Sequence, residues 1–147
     1  MGQPNIFNVA RYIIENMGEM TTMKLQKLTY YCQAWSLAWD NEPLFDEEFQ
    51  AWANGPVNRE LYQKHAGEFK VGTDFLKEYQ FNAFTQDQID TMNAVLRDYG
   101  ESSAMELSNM THQERPWKEA RVGIADGERS TNIVDKEVMQ EFYGSRV

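Results

Sequence analysis

The longest amphipathic segment of the chain, residues 22–39, constrains its fold most. Its large apolar side chains recur at intervals of three and four residues: Leu25, Leu28, Cys32, Trp35 and Trp39. This spacing aligns them along one face of an α-helix. Thr21 or Thr22 is suited to cap the start, and the DNEP sequence at 40–43 interrupts the pattern. The segment therefore predicts a helix with its apolar face in the protein core.

Capping signals indicate further helices. A first helix over residues 5–17 fits between Asn5 as N-cap and Gly18 as its stop. Four later helices have a predicted N-cap residue. In three cases a Ser or Thr is followed three residues later by Glu or Gln, as in a capping box: Thr85–Gln88, Ser103–Glu106 and Thr111–Glu114. The fourth N-cap is Asp135. A helix carrying Tyr62 and His65 is expected after the Asn54-Gly55-Pro56 turn. These signals predict about six helices.

Two segments have the alternating pattern of β-strands instead. Residues 48–53 alternate apolar and polar side chains before the turn at 54–56, and residues 78–83 do so more weakly. The predicted fold class is mainly α, formally α+β. It is a single domain, residues 1–147, with a small antiparallel β element near residues 48–53.

Composition excludes several classes of function. The formal charge of −9 repels nucleic acid, because non-specific binding to phosphates depends on Lys and Arg. A basic partner suits this charge better. The single cysteine, Cys32, permits no internal disulfide. Because no apolar run resembles a signal peptide or a membrane span, the sequence predicts a soluble cytoplasmic protein without direct nucleic-acid or membrane contacts.

Catalytic and metal-binding motifs are not apparent. His112-Gln113-Glu114 resembles the first half of a zinc deaminase signature, but that site needs two further cysteines. No phosphate-binding loop or nucleophile elbow occurs in the sequence. We therefore expect a non-enzymatic protein with no cofactor and no metal. The remaining alternative is a hydrolase or metal site around His112 and Glu114.

Two groups of polar residues each allow two interpretations. Lys24 and Lys27 occupy the first turns of the long helix, where the helix dipole mildly disfavours cations. They either pair with acids of the neighbouring segments or form part of a partner-facing patch. The acids are Asp46, Glu47, Glu48 and Glu60.

The second group lies near the predicted short helices: Thr111, His112, Glu114 and Arg121. Buried polar groups have to satisfy one another, so these residues could form one structural polar cluster. Otherwise they line a pocket or a contact surface.

Three motifs occur in order along the chain: KLQKLTYYCQAW at 24–35, FQAWANGPVNRELYQKH at 49–65, and LSNMTHQERPWKEAR at 107–121. Together they resemble the Panacea domain, a phage-associated family that includes antitoxins of bacterial and prophage toxin–antitoxin pairs. The resemblance implies a mainly helical domain that neutralises a cognate protein toxin by direct, non-catalytic binding. The alternative that it implies is a proteolytic adaptor that delivers the toxin to an AAA+ protease.

Some relatives in this family carry an additional DNA-binding module, and we expect none in these 147 residues. Residues near the Gly55-Pro56 turn and the polar patch of the long helix are the expected partner contacts. They are Lys24, Lys27, Trp52, Asn54, Pro56, Arg59 and Tyr62. The identity of the toxin and the oligomeric state stay open at this point.

Overall fold

The computed structural model describes residues 3–146, so residues 1, 2 and 147 of the expected domain lie outside the described residues. The described residues form seven α-helices and four short strands. They are α1 (Ile6–Met17), β1 (Met20–Thr21), α2 (Thr22–Trp35), β2 (Gln50–Trp52), β3 (Gly55–Val57), α3 (Arg59–His65), β4 (Lys70–Val71), α4 (Gln86–Tyr99), α5 (Ala104–His112), α6 (Arg115–Ala120) and α7 (Lys136–Gly144). The prediction of a mainly α fold with a small β element is confirmed.

Helix α2 is the centre of the fold. It contacts α1, α4, α5, α7 and β3, and side chains on every side of it are buried. A helix that is covered all round is a core helix rather than an amphipathic surface helix. As a consequence, polar residues of α2 are buried together with the apolar ones, among them Gln26, Lys27 and Gln33.

Local capping chemistry places most of the helix starts. Asn5, Thr85 and Ser103 each accept a hydrogen bond from the backbone N–H three residues on, in complete capping boxes. Asp135 caps α7 as predicted. The predicted box at Thr111 was wrong, because Thr111 lies inside α5 and α6 begins after Glu114 without a side-chain cap.

The strands form two separate antiparallel pairs. β2 pairs with β3 in the predicted region, with Gln50 opposite Val57 and Trp52 opposite Gly55. The expected strand at 78–83 was wrong: residues 73–78 form turns, and the second pair joins β1 to β4. A stretch of chain near Ile133 flanks β2 on its other side, where Ala51 N donates to Asn132 O at 2.8 Å.

The C-terminal end of the long helix differs from the prediction. Residues Ser36–Asp40 form a π-helical turn that ends at Asn41 in the left-handed region, with φ 57°. A π turn holds one more residue than an α turn and therefore rotates the side chains that follow. Trp39, expected in the core, is consequently 41% exposed. No helix among residues 3–146 is long and apolar enough to cross a membrane.

Candidate functional site

The hairpin of β2 and β3 borders a surface pocket. The pocket has a volume of about 520 Å³, and its lining includes Met23, Trp52, Asn54, Val57, Tyr62 and Arg129. The Trp52 and Tyr62 rings meet at a centroid distance of 5.0 Å and an interplanar angle of 63°. We call this the aromatic pocket. Its apolar walls and single cation suit the binding of an apolar or aromatic side chain.

An acidic cleft also borders the hairpin, lined by Asp46, Glu47, Glu48, Gln50, Arg59, Glu60 and Ile133. Lys136 forms an ion pair with Glu48, and the other three carboxylates outnumber the cation Arg59. Gln50 connects the two sites, because its Oε1 accepts from Trp52 Nε1 at 2.8 Å. One surface therefore presents an aromatic pocket beside a region of negative charge.

The long α2 motif and the third motif both hold the hairpin in place. Trp117 Nε1 donates to Trp52 O at 2.8 Å, and Arg121 Nη1 donates to Ala51 O at 2.9 Å. Ser108 Oγ donates to Asn54 O at the turn, at 2.6 Å. These bonds satisfy backbone carbonyls that β2 and its turn leave unpaired. Side chains of the third motif thus hold the hairpin backbone in place, a role that the sequence of the motif did not indicate.

Gln26 fixes the start of α3 from the opposite side. Its amide accepts from Asn58 N at 2.8 Å, donates to Asn58 O at 3.1 Å, and lies 3.1 Å from Nε2 of His65. All three side chains are buried. His65 is buried because α3 turns it inward onto Gln26. Burial lowers the pKa of His65.

The expected contact residues divide into three groups: those that line the pocket or the cleft, Pro56 inside the hairpin, and the two lysines of α2. Trp52, Asn54 and Tyr62 line the aromatic pocket, and Arg59 lies in the acidic cleft. Pro56 is buried opposite Ala51 in the hairpin. No motif indicated Arg129 as a site residue. It reaches the pocket because Arg121 Nη2 donates to Ala125 O and Glu128 O and so positions the loop that carries Arg129.

The two lysines of α2 form the third group, and the expectation that they pair with acids was wrong. Lys24 is partly buried, and its Nζ donates to Gly100 O at 2.6 Å. Lys27 is fully buried, and its Nζ has no hydrogen-bond partner among the described residues. Burial lowers the pKa of Lys27 to about 7. Neither lysine forms a surface patch.

Gly55 makes room for Lys27 under the hairpin. Its φ of 119° lies in the region that favours glycine, and a β-carbon there would overlap Lys27 Cε and approach Thr111 Oγ1 to 3.0 Å. His112 stacks on Trp117 at a centroid distance of 4.1 Å, and its Nε2 is buried without a partner. Burial, then the charges of Lys27 and Arg121, lower the pKa of His112.

The side chains of the four residues expected to form a polar cluster make no hydrogen bonds to one another, although Glu114 N donates to Thr111 O through the backbone at 3.1 Å. Thr111 Oγ1 donates to Ser108 O at 2.7 Å, while Arg121 bonds the hairpin and its own loop. Glu114 Oε1 accepts from the hydroxyls of Tyr31 and Tyr143 at 2.8 and 2.7 Å. Burial raises the pKa of Glu114. Glu114 thus joins α2 to α7, and each of the four residues fixes a different element.

The described residues form neither a metal-binding group nor an exposed reactive thiol. Residues 3–146 contain no group of three or more His, Cys, Asp or Glu side chains that could hold a metal ion. Cys32 is fully buried in the core, and burial raises the pKa of its thiol. A buried thiol with a raised pKa is a poor nucleophile.

The comparison with protein families agrees with these motifs. The family model for the antitoxin SocA-like Panacea domain matches residues 25–118, well over half of the 147-residue chain. No curated protein and no solved structure matches the chain. The matched residues include α2 from Leu25 on, the hairpin and most of the third motif, and side chains of the third motif bond to the hairpin backbone. The chain belongs to the antitoxin SocA-like Panacea domain family.

Proposed function

We propose that this protein is an antitoxin that neutralises a cognate protein toxin by direct, non-catalytic binding at the β2–β3 hairpin. Its family is antitoxin-like, and such a role implies a protein partner. The observation that carries the proposal is the aromatic pocket, where Trp52 and Tyr62 present their rings beside the hairpin turn. Trp and Tyr are enriched among residues that dominate binding energy at protein interfaces.

The position of the pocket on a rigid support favours this role. The hairpin carbonyls are bonded by Ser108, Trp117 and Arg121, and α3 is held by Gln26. A surface that is already ordered loses little conformational entropy when a partner binds. An aromatic side chain of the partner could therefore insert between Trp52 and Arg129 without rearrangement of the fold.

The charge beside the pocket indicates the chemistry of the partner. Three carboxylates of the acidic cleft have no lysine or arginine within ion-pair distance among the described residues: Asp46, Glu47 and Glu60. The whole chain carries a formal charge of −9. Complementary charge speeds association and disfavours wrong partners, so we propose a basic toxin.

Features of His112 and Glu114 support a non-catalytic protein. Glu114 has its Oε1 occupied by two phenol hydroxyls, while His112 stacks on Trp117, and the two side chains share no hydrogen bond. A general acid–base pair requires oriented groups that face a substrate. The hydrolase or metal-site alternative at these residues therefore has little geometric support.

The test is co-expression with the genes that adjoin its own. The antitoxin should restore colony formation in cells that express the toxin, and the two proteins should co-purify. Tyr62→Ala and Asp46→Lys should each weaken rescue, because they remove an aromatic contact and reverse a charge of the cleft. Met105→Ala and Asp74→Lys are the matched controls, since both residues are exposed and lie outside the two sites.

The outcomes separate direct neutralisation from proteolytic delivery. If the antitoxin binds and masks the toxin, the toxin's half-life stays unchanged or lengthens in the presence of the antitoxin. A shortened half-life that depends on an AAA+ protease would assign the adaptor role instead. Absence of both a complex and rescue with every adjoining gene product would refute the proposal.

A further inference from the structure

Two unpartnered nitrogens lie beneath the β2–β3 hairpin. Lys27 Nζ and His112 Nε2 are the two buried side-chain atoms of residues 3–146 that have no hydrogen-bond partner. Both are close to the hairpin: Lys27 Cε packs on Gly55, and the Ala53 backbone faces the His112 imidazole. They influence one another, because the charge of Lys27 lowers the pKa of His112.

The stronger charges around these nitrogens are cationic, and the acid Asp126 acts on His112 more weakly in the opposite direction. The charge of Arg121, like that of Lys27, lowers the pKa of His112, and the charge of Lys27 also lowers the pKa of His65. Neither Lys27 nor His112 forms an ion pair with any acid of the described residues. Buried polar groups are nearly always paired, and an unpaired buried cation is strongly unfavourable. The position of these two groups is that of a site for an anion.

The aromatic pocket provides the approach to this position. Met23 lines the pocket and precedes Lys27 by four residues on α2, so the two side chains share one face of the helix. Ala53 also lines the pocket, and its backbone adjoins the His112 ring. The flexible thioether of Met23 can change rotamer to admit a small group.

We propose that Lys27 Nζ and His112 Nε2 form a carboxylate-binding site that opens from the aromatic pocket. The two oxygens of a carboxylate can accept from two donors, the ammonium of Lys27 and an Nε2–H of the His112 imidazole. Charge-assisted hydrogen bonds to the anion would satisfy both nitrogens. This site goes beyond toxin neutralisation, and its test uses the purified protein without a toxin.

The experiment measures thermal unfolding in formate and in gluconate at equal ionic strength. Both are carboxylates, but gluconate is too bulky for a buried site. The Tm of the wild-type protein should be higher in formate, by about 4 °C at ten times the dissociation constant. Lys27→Met should abolish this difference, while Lys24→Met, the matched control on the same helix, should retain it. His112→Phe keeps the stacking on Trp117, removes Nε2, and should reduce the difference.

A second comparison identifies the source of the carboxylate. Nα-acetyl-glutamate amide and Nα-acetyl-glutamine amide differ only in the side-chain carboxylate. Stabilisation by formate and by the glutamate compound, but not by the glutamine compound, assigns the site to an acidic side chain of a bound protein. Stabilisation by formate without either amide assigns it to a free small acid. Equal Tm values in formate and gluconate, or a formate effect that persists in Lys27→Met, would overturn the proposal.

Discussion

Replacing Lys27 with methionine should stabilise the protein, although the lysine belongs to the first motif of its family. The ammonium is fully buried, has no partner, and has a pKa lowered to about 7 by burial. In the unfolded chain the same amine has a pKa of 10.5 and is protonated at neutral pH. Methionine has a similar shape and no charge, so it removes the desolvation penalty while it keeps most of the packing against Gly55.

The size of the effect follows from the two pKa values. Each pKa unit corresponds to about 1.4 kcal/mol, so at pH 7 the change from 10.5 to about 7 costs the folded state roughly 4 kcal/mol. The space left by Nζ costs Lys27→Met about 1 kcal/mol in return. The variant should therefore gain about 3 kcal/mol in free energy of unfolding, or about 6–10 °C in Tm.

The pH dependence provides an internal check. Above pH 7 the unfolded chain binds more protons at Lys27 than the folded protein, so stability rises with pH until both amines are neutral. Between pH 7 and 8.5 the wild-type protein should gain about 1.5 kcal/mol from this residue, and Lys27→Met should lack that gain. The window begins at pH 7 because the lowered pKa values of His65 and His112 reduce stability in more acidic solution.

The assay is urea unfolding at pH 7, 7.75 and 8.5 in a buffer free of small carboxylates. Lys24→Met serves as the control, because its amine is hydrogen-bonded to Gly100 O. A Lys27→Met variant less stable than the wild type, with the same slope against pH, would refute the reasoning. That result would mean that Lys27 has a compensating partner in the folded protein.

Three further predictions concern the buried polar groups. Glu114→Ala should lower the free energy of unfolding by about 2–4 kcal/mol, because the buried phenols of Tyr31 and Tyr143 lose their carboxylate acceptor. Urea unfolding measures this loss, and an unchanged free energy of unfolding would contradict the prediction. Gln26→Leu should cost about 3 kcal/mol by the same assay, because the Asn58 backbone loses the two hydrogen bonds that it shares with Gln26 at the start of α3. The variant should also weaken toxin binding, and unchanged binding would separate α3 from the interface. Cys32 should react with a thiol reagent far more slowly in the folded protein than in urea, since its thiol is buried with a raised pKa; rapid native labelling would show that the core opens.

Local chemistry explains what was predictable from the sequence. The caps at Asn5, Thr85, Ser103 and Asp135 depend on hydrogen bonds within three residues, so a short stretch determines them. The hairpin was predictable for a similar reason, because a Gly-Pro turn follows a strand-like alternation. The expected strand at 78–83 had no such turn, and its partner would have been distant in sequence.

The candidate site depends on contacts that the sequence does not encode locally. Lys27 lies on a helix with neighbours on every side, so its burial depends on the packing of α5 and the hairpin. His65 is buried because its imidazole contacts Gln26, which lies 39 residues away in the sequence. Trp39 is exposed because a π turn rotates the chain after Trp35. Each of these results follows from long-range packing or from a change of helical register.

The structure shows which motifs contact one another, and the sequence did not indicate these contacts. In the sequence, the third motif suggested a self-contained polar cluster. In the fold, its Ser108, Trp117 and Arg121 bond to the backbone of the second motif, and Gln26 of the first motif bonds to Asn58. The three motifs thus maintain one hairpin and the helix that follows it, next to which the aromatic pocket lies.

Hydrogen exchange of the protein alone and in complex with its co-purified toxin tests the central proposal most directly. If the toxin binds at the aromatic pocket, amides of residues 50–65 and 128–131 should exchange more slowly in the complex. Amides around Met105, on an exposed part of α5, should exchange at the same rate with and without toxin. Slowed exchange confined to surfaces outside the hairpin and α3 would contradict the proposed binding site.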